Sequence, residues 1–229
     1  MLFSRQLRSA IFLLGAAAGL GLLSGCLHLE QKLHFQRDGS VVATYHYAIP
    51  SAMLPALTAA QEAIEQQQQQ QQQNDGNDGN NAPARPLNWF LNEHAVRDFF
   101  TRPGIEVRQY RQTERDGQTR VQIIILALDG ARAVNTGLFG TMSMTRQENG
   151  HAALTVEPPG NNLPWTRTQT ERLRQLCPDL KLVFTITAPA DIITTNGALT
   201  EARTATWTFA DDGVNNSLFA IIPALKATW

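Results

Sequence analysis

The side chains that could do chemistry in this chain are few and scattered. Three of its five histidines, His28, His34 and His46, lie on neighbouring segments that alternate apolar and polar residues. His28 and His34 share one face of the first segment, and His46 lies on the outward parity of the second. A loop at residues 38–40 sets His46 opposite Lys32 and diagonal to His34, so two imidazoles could approach a metal ion. Lys32 would repel a cation held between them, and no third ligand stands at a spacing characteristic of zinc. The expectation is solvent-facing histidines, with no metal site and no cofactor. Glu93 with His94, and Asp191 beside Ile192, read as single groups without a placed partner, so general acid–base catalysis has no support. Nucleophilic hydrolysis lacks a Gly-x-Ser-x-Gly elbow, and Ser143 and Ser217 stand beside no histidine motif. Glycine loops that cradle phosphate are missing from the body as well. No catalytic residue is expected.

The N-terminus is more specific. Arg5 and Arg8 form a positive region, and residues 10–22 form an apolar stretch of secretory type. That stretch is short for the roughly 20 residues of a spanning helix, and Gly15, Gly19 and Gly21 weaken it as one. Leu23-Ser24-Gly25-Cys26 follows directly and resembles the lipobox at which bacterial lipoproteins are lipidated on cysteine and cleaved before it. The resemblance implies removal of residues 1–25 and a mature N-terminal Cys26 carrying an S-diacylglycerol and an N-acyl chain. Two or more acyl chains give stable attachment where one is marginal, at about 0.8 kcal/mol per buried methylene. Leu27, not Asp, follows the cysteine, which in Gram-negative lipoproteins of this kind points to the outer membrane, facing the periplasm.

Behind that anchor the composition is that of a soluble body. Of the 19 basic residues, 17 remain after Arg5 and Arg8 are removed, against 20 acidic, a charge of about −3 over 204 residues. Such a balance suggests neither nucleic acid nor an anionic lipid surface as a partner. With Cys26 acylated, Cys177 has no intramolecular partner, and it follows Leu173 and Leu176 at helical spacing. A buried, inert thiol is the simpler reading and a reactive one the alternative.

The body reads as one α+β domain over residues 26–229. Residues 27–35 and 41–49 alternate as two strands of a hairpin around Asp38-Gly39-Ser40, and Pro50 ends the second. A helix is expected over residues 51–65, before eight consecutive glutamines; residues 66–86, rich in Gln, Asn, Asp and Gly, read as a disordered insertion. A second helix ends at Phe100, with Trp89, Phe90, Val96, Phe99 and Phe100 as packing residues. Asp116-Gly117 turns the next hairpin, pairing 115 with 118, Val107 with Leu126, and Ile105 with Leu128. Ile123 to Leu128 is apolar on both parities, as for a strand covered on both faces at one end. Residues 129–140 form a loop or short helix. A three-residue loop at Glu148-Asn149-Gly150 aligns Met144 with Leu154 and Met142 with Val156. A third helix is expected to end at Leu176. Asn196-Gly197 then reads as a type I′ turn pairing Phe184 with Phe209 and Ile186 with Trp207, and Leu218 to Ile222 as a final strand or packing segment. The sum is a mostly antiparallel sheet built from hairpins, with about three helices on one face.

The first hairpin at Asp38-Gly39-Ser40, the helical middle, and Pro189-Ala190-Asp191-Ile192-Ile193-Thr194-Thr195-Asn196-Gly197 followed by Thr204-Ala205-Thr206-Trp207 resemble the LppM-type bacterial lipoprotein domain over most of residues 26–222. That family usually has Gly where this chain has Ala190, and the glutamine insertion is foreign to it. The resemblance implies an envelope-tethered α+β domain and carries over no catalytic residue. The functional expectation is a non-enzymatic binding or assembly role at the membrane, toward an envelope protein or a hydrophobic ligand that Trp89, Phe90, Phe99 and Phe100 could line. The alternative is an envelope hydrolase whose site assembles only in three dimensions.

Overall fold

The computed structural model describes residues 28–55, 58, 89–157, 180–210 and 224–229. Eleven strands are found among them: β1 His28–Phe35, β2 Val41–Pro50, β3 Ile105–Arg115, β4 Gln118–Ala127, β5 Met142–Arg146, β6 Ala152–Val156, β7 Lys181–Thr187, β8 Thr194–Thr195, β9 Ala198–Glu201, β10 Thr204–Ala210 and β11 Leu225–Thr228. They form a seven-stranded sheet in the order β3-β4-β2-β1-β7-β10-β9 and a four-stranded sheet in the order β5-β6-β11-β8. Among the described residues there are two α-helices, α1 Glu93–Phe100 and α2 Gly130–Asn135, so the expectation of about three is not met. The helix expected from residue 51 opens as a 3-10 turn, Ser51–Met53. Most of its length, the glutamine insertion, the helix ending at Leu176 and the segment Leu218 to Ile222 lie outside the described residues.

The single antiparallel sheet of the sequence reading becomes two sheets, and one pair in the larger is parallel: β1 lies beside β7, with His28 next to Lys181 and Leu33 next to Ile186. Alternation explains the burial. Leu33, Phe35, Val41, Ala43, Tyr45, Ile49, Val121, Ile123, Ile125 and Ala127 point to one face and are buried, joined by Phe184, Ile186, Ala205 and Trp207. Both helices and the smaller sheet cover that face. Val96 and Phe100 bring α1 onto Tyr45, Ala133 and Val134 bring α2 into the same core, and Trp229, at the end of the smaller sheet, meets Phe35 at 5.3 Å between ring centroids. Asn92 caps α1 by accepting from the Ala95 N–H, and Asp129 caps α2 by accepting from Arg132 N–H. β4 is interior, as its apolar run suggests, but its second face is open: Ile124 and Leu126 are half-exposed, and Leu128 beyond them is 64 % exposed.

Register departs from expectation at the first hairpin, at a bulge in β3 and where a distant strand intervenes. In the first hairpin the three-residue loop is 37–39, not 38–40. Gln36 and Ser40 close it, with the Gln36 N–H donating to the Ser40 carbonyl at 2.8 Å, and Gly39 at φ +86° supplies the left-handed residue. Apolar residues still face apolar residues, but Glu30, not Lys32, stands opposite His46. Asp116 and Gly117, at φ +54° and +70°, make the expected two-residue turn and pair Arg115 with Gln118. A bulge at Arg108 then slides the strand by one, so Val107 faces Ile125 and Ile105 faces Ala127. Met144 opposite Leu154 and Met142 opposite Val156 are as expected.

Asn196-Gly197 is not a hairpin turn. The chain leaves β7, passes through β8 in the smaller sheet, and returns as β9 to the edge of the larger one. β7 and β10 therefore pair Phe184 with Trp207 and Ile186 with Ala205. Asn196 joins the sheets instead: its Oδ1 accepts from the Lys226 N–H at 2.8 Å and from Trp207 Nε1–H at 3.0 Å, while its Nδ2 donates to the Ala224 carbonyl at 2.9 Å. Gly197 lies so close to the Trp207 indole that a Cβ there would sit 2.5 Å from Cε2.

A polar cluster on the open sheet face

The even-numbered residues of β1, β2 and β4 point away from the core. Strand pairing brings Glu30, His46 and Gln122 into one row across those strands, and Arg111 of β3 extends it. His46 Nδ1 lies 2.9 Å from Glu30 Oε2, and His46 Nε2 lies 3.0 Å from Gln122 Nε2. Gln109 donates to Gln122 Oε1 at 3.4 Å, which turns the Gln122 amide N–H toward the imidazole. His46 Nε2 accordingly accepts and His46 Nδ1–H donates to Glu30, an assignment that rests on the hydrogen-bond network. Lys32 Nζ meets the other Glu30 oxygen at 3.0 Å. Partial burial works against the Glu30 carboxylate, but hydrogen bonds from Lys32 and His46 and the charge of Lys32 outweigh it and hold its pKa below the ordinary value.

Beside this row is a cavity of 540 Å³, lined among others by His28, Glu30, His46, Arg111, Arg120 and Gln122. Arg120 is steadied by Gln118 Oε1 at 3.2 Å from its Nη2. Lys32 cancels the charge of Glu30, so the two arginines leave the lining net positive. His28 Nε2 is buried without a hydrogen-bond partner, the one such side-chain atom among the described residues. Chemically the row is a fixed platform. Both imidazole nitrogens of His46 are engaged, Nδ1–H by the Glu30 carboxylate and Nε2 by the Gln122 amide, which together fix the orientation of the ring.

The other residues singled out by sequence do not assemble with it. His34 is exposed and pairs across the sheet with Val42, so it does not approach His46. Among the described residues no three His, Cys, Asp or Glu side chains gather as a metal site would require. Glu93 and His94 do have partners, each one helical turn on: Glu93 with Arg97 at 2.8 Å and His94 with Asp98 at 3.2 Å, both exposed. Asp191 lines a separate open groove with Arg37, His151, Ile193 and Arg203. Ser143 is exposed on β5. Phe90 and Phe100 are buried, stacking on or tilting against Tyr47 and Tyr45, with Trp89 and Phe99 packed on them. These aromatics form core, not a groove. Cys26, Cys177 and Ser217 lie outside the described residues. The Glu30–His46–Gln122 row escaped the sequence reading, although strand parity already sends all three outward; the missing quantities were a two-residue register and the adjacency of β2 and β4.

Fold and cluster together define a two-sheet α+β domain whose open face carries an organised polar cavity with a basic lining. No family model matches the chain, and no curated protein matches it. The folded domain of LppM from Mycobacterium tuberculosis, solved by NMR, is similar at 14 % identity over 90 % of this chain and 91 % of that one, with a TM-score of 0.43. So loose a likeness carries no argument about function.

Proposed function

We propose that this chain is a lipid-anchored domain of the bacterial envelope with a non-enzymatic binding role, tethered through acylated Cys26 and facing the periplasm from the outer membrane. The observation that carries the binding role is the cavity beside the Glu30–His46–Gln122 row, whose lining Arg111 and Arg120 make basic. The tether is supported by Leu23-Ser24-Gly25-Cys26 and by chain distance: β1, an interior strand, begins only two residues after Cys26. No helix among the described residues is long and apolar enough to cross a membrane. Intact mass spectrometry of protein extracted from native membranes tests the reading. The expected mass is that of residues 26–229 with a diacylglycerol and one further acyl chain. A bare Cys26 with residues 1–25 still attached would overturn it.

A further inference from the structure

The cavity beside Glu30 and His46 has the chemistry of an oxyanion site. Arg111 and Arg120 stand on adjacent strands, Arg111 opposite Gln122 and Arg120 opposite Thr113, so both guanidinium groups reach the same side of the sheet. Arg120 is held by Gln118, whereas Arg111 has neither an ion pair nor a hydrogen bond among the described residues. The acid in the lining is Glu30, and Lys32 and His46 already hold both of its oxygens. Lys181 adds a further positive charge beside His28 through the parallel pairing of β1 and β7. His28 also lines the cavity, with its Nε2 shielded from solvent. Two planar forks are what a tetrahedral oxyanion with several acceptor oxygens uses well.

We propose that this cavity binds a phosphate group, held by Arg111 and Arg120. The inference deepens the binding role proposed above and rests on it. Covalent geometry keeps the Cα of Cys26 within about 7 Å of that of His28, so on an anchored protein the cavity opens close to the bilayer surface. Two sources of the same chemistry are therefore within reach: the phosphodiester of an anionic lipid headgroup, and free phosphate or a soluble phosphate ester.

The experiment uses the mature lipoprotein purified in dodecyl maltoside, a phosphorus-free detergent, with arginine modification by phenylglyoxal followed residue by residue through peptide mass spectrometry. Inorganic phosphate at millimolar concentration, with ionic strength matched by chloride, is expected to slow modification of Arg111 and Arg120 at least three-fold and to leave Arg146 of the smaller sheet unchanged. Reconstitution into phosphatidylglycerol nanodiscs without added phosphate forms the second arm. Protection there identifies the headgroup as the source; protection by inorganic phosphate alone identifies a soluble ligand. Arg111→Gln, checked for native circular dichroism, is expected to abolish the protection of Arg120. Modification of Arg111 and Arg120 slowed neither by phosphate nor in the nanodiscs would overturn the proposal, while the intact mass, read on the same preparation, reports separately whether the anchored-domain reading stands.

Discussion

Two turns of this protein, Gln36–Ser40 and Gln147–His151, are built from the same parts and sit in different surroundings. In each, the N–H of the first residue donates to the carbonyl of the fifth at 2.8 Å, and the N–H of the fourth returns to the carbonyl of the first. Glycine is fourth in both, Gly39 at φ +86° and Gly150 at +85°. The third residue, Asp38 or Asn149, accepts from the N–H of the fifth at 2.9 and 3.0 Å. Residues 36–39 and 147–150 are exposed alike, and the turns differ in the strands they join and in what covers them. The first turn joins two interior strands of the larger sheet and lies under the start of α2, where the Gly130 N–H donates to the Gly39 carbonyl at 2.8 Å. The second joins β5, an edge strand, to β6 and is exposed. A five-residue code thus sets hairpin geometry without help from the fold, and the fold decides how much that geometry contributes to stability.

Asn196-Gly197 marks the limit of this rule, because the same turn chemistry there serves as a joint between sheets. Gly197→Ala is expected to be the most damaging change, at about 3 kcal/mol from overpacking, since its Cβ would overlap the buried Trp207 indole. Urea denaturation measures it, and a loss below that of a turn glycine would return Asn196-Gly197 to the class of local turns. Gly39→Ala and Gly150→Ala come next. A Cβ at either position meets nothing within 4 Å, so each pays only the left-handed penalty, about 1–2 kcal/mol. The Gly39 change is expected to lower global stability by the fuller amount. The Gly150 change should appear mainly as faster amide exchange at the tips of β5 and β6, because an edge hairpin can open alone. Equal global losses would show that the smaller sheet unfolds only with the larger.

The smallest effect separates Asp38 from Asn149. Hydrogen bonds from the Ser40 side chain and backbone hold the Asp38 pKa below its ordinary value. A depressed carboxylate contributes stability above its unfolded pKa, and that contribution disappears as pH falls through the lower, folded value. The stability difference between wild type and Asp38→Asn is therefore expected to shrink between pH 5 and pH 2, approximate limits that bracket an ordinary aspartate. Asn149→Asp is expected to create a weaker dependence in the second turn, where the His151 backbone N–H is the donor and no serine hydroxyl joins it. A difference that stays constant over that range would mean that the Asp38 carboxylate plays no part in closing its turn.

Legibility followed the distance over which each feature is encoded. The β5–β6 register and the Asp116-Gly117 turn could be read directly because a few adjacent residues specify them. The first hairpin kept its parity, since a one-residue shift would have exposed Leu33 and Tyr45, but a two-residue shift leaves every side chain on its own face, so alternation alone could not exclude it. The Arg108 bulge, the parallel β1–β7 pair and the division into two sheets have no local signature. The cluster was half legible. Outward parity put His28 and His46 on the solvent face, and a net charge near −3 then argued against nucleic acid or an anionic lipid surface. Tertiary folding gathers Arg111, Arg120, Lys32 and Lys181 on one end of one face, so a chain acidic on average presents a locally basic cavity.

By itself the sequence determined what neighbouring residues can settle among themselves: the alternation that divides inside from outside, and the turns whose glycine and Asx residues close on their own backbone. Tertiary structure alone decided which strands became neighbours, and with that the row from Glu30 to Gln122, the cavity beside it and the Asn196 joint. The physical reason is that turn and parity preferences act over a few bonds. Strand adjacency is set by how the whole set of apolar faces can be buried at once.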